Sequence, residues 1–397
     1  MTDKQLAVMG VLLILLAALG LLEAHLLRRA VGRIPIRIHV NGTRGKSSVT
    51  RLIAAGLRAG GIKTCAKTTG TLPRFLGPDG REEPIYRAGK ANIAEQVHMM
   101  LRAQTLRAEA IVVECMALQP FLQWVTTARI VRPTHGVITN IREDHLDVMG
   151  PALENVALAL LGSVPYGSRL FSAERRFAAL SARVAEDRKA RLTLVRPEDA
   201  EERVSSRDLR RFRYIEHAEN VQLALAVCAS VGVPREVALR GMQSARPDPG
   251  ALTIEYVRVE GQPLVFVNGF AANDPESTGQ VWEVALSRTD PDVKKIALLN
   301  CRSDRADRSE QLGRAVAEWT RADAYLVIGT ARHFFLHAAE RAGVPRELLK
   351  SSKSLNESEL VRELLEVAGA RGVVVGLGNI GGAGLELIAK LREKGAS

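Results

Sequence analysis

Residues 34 to 59 read IPIRIHVNGTRGKSSVTRLIAAGLRA. Ile34 to Val40 reads as a strand with Pro35 near its start, Asn41 to Ser48 as a glycine-bearing loop, and Val49 to Ala59 carries helical periodicity. The string Gly42-Thr43-Arg44-Gly45-Lys46-Ser47-Ser48 therefore sits between a strand and a helix, the context that gives such a motif a mechanism. Its glycines let successive backbone N–H groups turn inward around phosphate oxygens, and the helix N-terminus adds partial positive charge. Lys46 can reach β- and γ-phosphates, and Ser47 can ligate Mg²⁺. Only Thr43 and Arg44 separate the glycines, so the loop is shorter than the common GxxxxGK[ST] form. An ordinary surface turn is the competing reading, and the strand and helix on either side count against it.

Further strands are predicted at Ala110–Glu114 and Thr134–Asn140. Each ends in polar residues, as a parallel strand does where its C-terminal edge meets a ligand. Alanine-rich helices are predicted at Ala152–Leu161 and Asn220–Val231, separated by an arginine-rich stretch, Arg169 to Arg213. The composition turns to proline and glycine in Ser244-Ala-Arg-Pro-Asp-Pro-Gly250, the best domain boundary. Beyond it, strands at Leu264–Val267, Lys295–Leu299, Ala324–Ile328 and Gly372–Val375 alternate with helices, the pattern of a second α/β domain.

The N-terminus differs from the rest. Leu6 to Leu22 is an unbroken run of apolar and small residues, at the short end of what spans a bilayer. Arg28, Arg29, Arg33 and Arg37 follow it, and only Lys4 precedes it as a basic residue. The positive-inside rule then puts everything after the helix in the cytoplasm. A cleaved signal peptide would carry its charge on the other side; a buried core helix is the plainer alternative. The fold class expected is α/β: a transmembrane anchor (1–27), a phosphate-loop ATPase domain (28–246) and a Rossmann-like C-terminal domain (247–397).

The 397 residues carry a formal net charge of +11. Such a balance attracts nucleic acid, anionic lipid or an acidic substrate. Aromatics make up only 4%, which disfavours stacking of nucleic-acid bases. There is no zinc-finger, KH or RRM signature, so no nucleic-acid partner is expected. Cys65, Cys115, Cys228 and Cys301 show neither CxxC pairing nor metal-ligand spacing and fit reduced cytoplasmic thiols.

The compact loop resembles the GTxGK[ST][ST] loop of the Mur ligases and folylpolyglutamate synthases, and further stretches agree in the same order. Ile-Val-Val-Glu114 resembles the strand whose glutamate holds Mg²⁺ beside the loop hydroxyl. Val137-Ile-Thr-Asn-Ile-Arg-Glu-Asp-His-Leu-Asp147 resembles the family's TNI…DHLD segment, in which the histidine, here His145, helps bind a second metal; Asp144 and Asp147 flank it. His217-Ala-Glu-Asn220 resembles the stretch whose asparagine reads adenine, although an asparagine there is also an ordinary helix cap. Asn268-Gly-Phe-Ala-Ala-Asn-Asp-Pro-Glu-Ser277 resembles the DYAHNPxS segment, and Cys301-Arg-Ser-Asp-Arg-Ala-Asp-Arg308 the DRD-type loop. The wording of the former, with the anchor, points to the poly-γ-glutamate synthase branch.

By this resemblance the chain is an ATP- and Mg²⁺-dependent amide ligase that polymerises glutamate through an acyl phosphate. The resemblance implies Ser47, Glu114 and His145 as metal ligands and Lys46, Glu114 and His145 as catalytic. It implies nucleotide contacts from Gly42 to Ser48, Asn140, Asn220, Asn273, Asp304 and Arg305. Arg44, Lys67, Arg74, Arg302 and Arg305 are candidates for holding carboxylates of the polymer, against the plainer reading of solvated surface charges. The branch works as an oligomer or complex with small membrane subunits, PgsC-like and PgsA-like.

Two departures stand out. Many Mur ligases carry a carbamylated lysine about fifteen residues after the histidine, yet no lysine lies between His145 and Lys189. The nucleotide-sugar-binding domain of the Mur enzymes is also missing, which argues against a UDP-linked substrate. Gly376-Leu-Gly-Asn-Ile-Gly381 fits GxGxxG, but the further strand with an acidic residue that a dinucleotide fold needs has no room before Ser397. The rivals are another ligase of the superfamily, such as a folate-polyglutamylating enzyme, and a membrane-tethered ATPase driving assembly or export.

Overall fold

The computed structural model describes residues 3–395 except 71, 88, 90, 196–202, 213, 248–251, 260, 271, 273, 291, 353 and 355. The chain divides into two compact units. One contains residues 1–213 and 217–246, and the other residues 214–216 and 247–397.

The first unit opens with α1 (Asp3–Arg33), then β1 (Ile36–Asn41), α2 (Lys46–Ala59), β2 (Thr64–Thr68), β3 (Arg74–Leu76), β4 (Glu82–Pro84), α3 (Ala94–Thr105) and β5 (Ala110–Glu114). It continues with α4 (Pro120–Val125), β6 (His135–Ile138), α5 (Leu146–Met149), α6 (Leu153–Leu161), β7 (Arg169–Ser172), α7 (Ala178–Asp187), β8 (Arg191–Leu194), α8 (Ser206–Leu209), α9 (Ala218–Ser230) and α10 (Arg235–Gln243). The arginine-rich stretch thus contains two strands and two helices.

The strands form one sheet in the order β4-β3-β2-β5-β1-β6-β7-β8. Strands β2, β5, β1, β6, β7 and β8 run parallel, and β3 and β4 extend one edge as an antiparallel hairpin. Strand β1 is central, its neighbours are β5 and β6, and the chain reverses direction of winding there. That switch point is where open α/β sheets bind ligands, at the carboxyl ends of the strands. The loop Gly42–Gly45, Glu114 and Thr139–Asn140 all lie at these ends.

Helix α1 does not stop where the apolar run stops. Its 31 residues span about 46 Å at 1.5 Å per residue, well beyond a hydrocarbon layer of about 30 Å. Its most apolar 18-residue window has a mean hydropathy of 2.6 and none of it is buried in the protein, so the helix is long and apolar enough to cross a membrane. The last turns do something else. Leu27 and Val31, one turn apart, pack into the core formed by Met100, Ala103, Ile111 and Ile130, and Ala30 between them is buried. The Arg37 guanidinium donates to the Val31 and Ile34 carbonyls and to that of Arg132, satisfying acceptors that a helix C-terminus leaves open. The expected boundary at residue 27 therefore falls inside a helix whose end belongs to the folded unit.

The second unit contains β9 (Thr253–Val259), β10 (Gln262–Asn268), α11 (Pro275–Ser287), β11 (Lys294–Cys301), α12 (Ala306–Ala315), β12 (Ala324–Gly329), α13 (Arg332–Arg341), β13 (Leu349–Ser351), α14 (Glu357–Ala368), β14 (Gly372–Gly378) and α15 (Ala383–Gly395). Its sheet order is β13-β12-β11-β14-β10-β9, parallel except for β9 at the edge. The period of two is visible in what each face buries. Ala297, Leu299, Tyr325, Val327, Val373 and Val375 join one core with Trp282 and Phe335. Ile296, Leu298, Leu326, Ile328 and Val374 join the other with Leu364 and Leu387. Strands buried on both faces read as continuous apolar runs, which is why these were legible.

Trp282 is 1% exposed and its indole N–H donates to the Thr320 carbonyl at 2.7 Å. Trp282→Ala should cost about 3–5 kcal/mol of this unit's stability. Urea unfolding followed by circular dichroism tests this, and a shift below about 1 kcal/mol would show that the indole is not central to the core.

Candidate functional site in the first unit

The phosphate loop is built by its neighbours. Gly42 adopts φ +129° and Gly45 φ +78°, both in the region that favours glycine. Space gives a second reason. A Cβ on Gly42 would lie 2.1 Å from Thr139 Oγ1, and one on Gly45 2.8 Å from Asn220 Oδ1. The end of β6 straps the loop down. Thr43 N–H donates to the Asn140 carbonyl at 2.9 Å and Arg44 N–H to Asn140 Oδ1 at 2.9 Å. Asn140 Nδ2 returns a bond to the Arg44 carbonyl at 3.2 Å, as does Thr139 Oγ1 at 2.6 Å. Asn140 is thus engaged in shaping the loop.

Sequence reasoning put Asn41 in the loop without a role, whereas it is the last residue of β1. It is buried, accepts from Gly42 N–H at 2.8 Å, and donates to Gln123 Oε1 at 2.8 Å and Ser163 Oγ at 2.9 Å. A polar residue closing an apolar strand was the available sign. Glu174, also buried, takes the Ile141 N–H at 2.7 Å and so anchors the far end of the strap.

Helix α2 starts at Lys46, with Gly45 as N-cap and no side-chain cap. Val49 is the first residue whose N–H finds its i−4 carbonyl, that of Gly45. The N–H groups before it stand at the head of the helix, available to an anion. Lys46 Nζ donates to the Gly42 carbonyl at 2.7 Å and the Thr43 carbonyl at 3.0 Å, both within the loop it serves. Burial pulls its pKa below the usual lysine range, and Glu114 and Asp144 oppose that pull.

Ser47 Oγ donates to Glu114 Oε2 at 2.8 Å, and the Thr69 N–H reaches the same oxygen at 2.7 Å. Glu114 is 3% exposed, so a hydroxyl and an amide meet a carboxylate deep at the strand ends. The donor set fits Mg²⁺: two hard oxygens, with phosphate oxygens and water to complete an octahedron. Among the described residues no group of three or more His, Cys, Asp or Glu side chains could hold a metal alone. His145 is brought in from another side. It has φ +48° at the head of α5, and its Nε2 lies 3.8 Å from Asp144, which in turn lies 3.6 Å from the Arg44 guanidinium. A positive φ on a non-glycine residue is costly and marks a position held by its surroundings.

The structure therefore assembles Gly42–Ser48, Glu114, Asn140 and Asn220, with His145 reached through Asp144 and Arg44. Asn220 lies in the first turn of α9, whose N-cap is His217, so it is not itself the cap. Asp304 and Arg305 belong to the second unit, where a 3₁₀ turn follows β11 and Asp304 pairs with Arg302 at 2.8 Å. Asn273 lies outside the described residues. Gly376–Gly381 spans the end of β14 and the turn after it in that same unit, the turn held by Asn300 Nδ2 donating to the Asn379 and Gly381 carbonyls.

Lys67 needs a correction. It is fully buried and its ammonium lies 2.6 Å from Glu95, which also receives Arg87 at 2.6 Å. It is an internal cation with an internal partner, not a surface charge awaiting substrate. Arg74 is half-buried on β3.

Two outcomes follow. Gly42→Ala should weaken binding of magnesium nucleotide by about 100-fold, or about 2.7 kcal/mol, because the methyl group strikes Thr139; calorimetric titration at unchanged circular dichroism reads this, and near-normal affinity would refute the close fit. Burial alone would raise the Glu95 pKa, but hydrogen bonds from Arg87 and Lys67 hold it below the usual glutamate range. Its stabilising contribution is full above the unfolded value of about 4.3 and is lost as pH falls through the lower folded value. Glu95→Gln should therefore be less stable at neutral pH and show a flatter acid limb in denaturation curves, whereas parallel curves would contradict the pairing.

Comparison with known proteins agrees with this geometry. Residues 40–162 match the Mur ligase middle domain, and residues 253–394 match the poly-gamma-glutamate synthase CapB C-terminal domain. The capsule biosynthesis protein CapB of Bacillus anthracis is 36% identical over 393 residues, covering 98% of this chain and 84% of that protein. The PGA synthase CapB of Bacillus subtilis (strain 168) is 35% identical over 377 residues, covering 94% and 95%. Among solved structures, a bifunctional folylpolyglutamate synthase/dihydrofolate synthase with Mn, AMPPNP and L-glutamate bound superposes with a TM-score of 0.67 at 16% identity, covering 93% of each chain. Matched along nearly its whole length by such relatives, the chain belongs to the poly-γ-glutamate synthase CapB family, a branch of the ATP-dependent Mur-type amide ligases.

Proposed function

We propose that the chain polymerises glutamate into poly-γ-glutamate, activating a carboxylate as an acyl phosphate and releasing ADP and phosphate. The observation that carries the reading is the Ser47–Glu114 pair beside Lys46 at the head of α2. A carboxylate does not yield to an amine without activation, and an ATP γ-phosphate held in this loop supplies it. Lys46 would leave the Gly42 and Thr43 carbonyls for the β- and γ-phosphates, where its charge offsets the charge spreading over the transferred group. Ser47 and Glu114 would hold Mg²⁺, whose part is to neutralise phosphate oxygens. His145 and Asp144, linked to the loop through Arg44, would steady the transferred phosphoryl group. The amine of the next glutamate then attacks the acyl carbon and phosphate departs.

The L-glutamate and nucleotide seen on the folylpolyglutamate synthase support the substrate classes, and the names of the CapB relatives support the polymer. Asn220, against Gly45, adds a nucleotide contact in this reading, and the resemblance implies further ones at Asn273, Asp304 and Arg305. Helix α1 is a single membrane pass, with Arg28, Arg29 and Arg33 on the cytoplasmic side and small membrane subunits alongside.

Purified chain in detergent, and membranes containing it, should release ADP from ATP and Mg²⁺ only when glutamate is present, with amide product. Glutamate-independent hydrolysis, or AMP in place of ADP, would reject the proposal. Lys46→Ala should lower turnover by about 10²–10³-fold, as loss of one preorganised charge stabiliser does, with folding intact because the side chain bonds only to its own loop.

A further inference from the structure

Helix α2 begins at the phosphate loop and ends 14 residues later, about 21 Å along its axis, in a different electrostatic setting. A cavity of about 490 Å³ lies there, walled by the second half of α2, the turn between β3 and β4, and residues 244–246. Its volume is in the range of small-ligand sites, about 300–1,000 Å³. Residue 246 is the last of the first unit before the chain passes to the second.

The lining is unusually cationic: Arg51, Arg58, Arg81 and Arg246 against Asp79 and Glu82. Two of the four arginines are matched. Arg51, 2% exposed, makes a two-pronged pair with Glu82, Nη1 to Oε1 at 2.5 Å and Nη2 to Oε2 at 3.1 Å. Arg81 lies 3.3 Å from Asp79 at the surface. The other two make no close ion pair among the described residues. Half-buried Arg58 donates to the Thr64 carbonyl at a long 3.3 Å; burial pulls its pKa below the usual arginine range, against the opposing charges of Glu82 and Asp79, which are already engaged with Arg51 and Arg81. Arg246 is exposed and has no ion pair among the described residues.

A guanidinium taken partly out of water without a carboxylate in direct contact is costly, and its planar fork matches carboxylate geometry. No aromatic residue lines the cavity, so a nucleotide base would find nothing to stack on. We propose that this cavity is a second anion site, in which Arg58 and Arg246 bind neighbouring carboxylates of a γ-linked glutamate oligomer, at the opposite end of α2 from the ATP loop. The Arg51–Glu82 pair forms its rigid wall. The choice of ligand rests on the polymerase reading above; the cavity and its charge do not.

The test uses the full chain in detergent micelles, tetra-γ-glutamate as probe, and the double variant Arg58→Gln/Arg246→Gln. The variant should bind the oligomer about 10–100-fold more weakly, the loss of two charge-assisted contacts, while its affinity for magnesium nucleotide stays unchanged. Added salt should narrow the difference between variant and wild type. Equal oligomer affinity in both proteins overturns the site. Displacement of the oligomer by equimolar inorganic phosphate overturns its assignment to carboxylates. Should the double variant fail to fold, Arg246→Gln alone, at an exposed position, carries the same reading with a smaller loss. Failure of the ligase reading shows separately, as absence of glutamate-dependent ADP release in the wild type.

Discussion

The hydrogen bonds from Thr139 and Asn140 to the phosphate loop are the constraint on which the rest of the first unit's chemistry depends. A loop with two glycines at positive φ is entropically expensive to hold in one shape. Here four bonds from one strand end reach Thr43 and Arg44, the two residues between those glycines. The strap sets where α2 begins, and that places Ser47 within hydrogen-bond reach of Glu114. The strand end that tightens the loop also fills the space a Cβ would need at Gly42, as Asn220 does at Gly45. Glycine is thus demanded twice over, by dihedral angle and by volume. An asparagine that sequence resemblance assigns to the nucleotide is in this structure a fastening for the loop itself.

Much of this was legible because it is local. The phosphate loop is contiguous, and Glu114 announces itself as a carboxylate ending an apolar strand. The strands of the second unit are near-continuous apolar runs because both faces of their sheet are covered. What could not be read is what depends on distant partners or on very short elements. Strands β3 and β4 have three residues each, too few for any period to show. Lys67 and Glu95 are 28 positions apart, and neither residue type predicts burial, so the sequence offers Lys67 as a cation for substrate carboxylates or solvent and does not show its internal partner. Helix α1 was cut short because hydropathy sees only the apolar run. Its final turns are continued by good helix formers and by the spacing of Leu27, Ala30 and Val31, which docks them on the domain.

That continuity has a mechanical meaning. Between Arg33 and Ile36 the chain has two residues, and the Arg37 guanidinium ties the helix end to the segment before β6. A flexible linker of many residues would let the first unit tumble relative to the helix. A helix that ends inside the core it serves cannot do so without breaking apolar contacts and leaving the α1 carbonyls unsatisfied. The phosphate loop follows β1 directly, so its orientation is tied to that of the helix through a single strand.

The fate of each cation follows from burial. An exposed ion pair contributes about 0–1 kcal/mol, and its partner is easily exchanged. Arg302 and Asp304 are such a pair, with side chains 44% and 58% exposed, so separating them costs little. Lys67 and Glu95 are the opposite case, at 0% and 11%. Withdrawing one partner of a buried pair leaves an uncompensated charge and costs about 3–5 kcal/mol, more than a single new carboxylate contact returns. Lys67 therefore serves the shape and field of the first unit. A net charge of +11 does not by itself distinguish these two uses of a cation; the depth at which each one sits does.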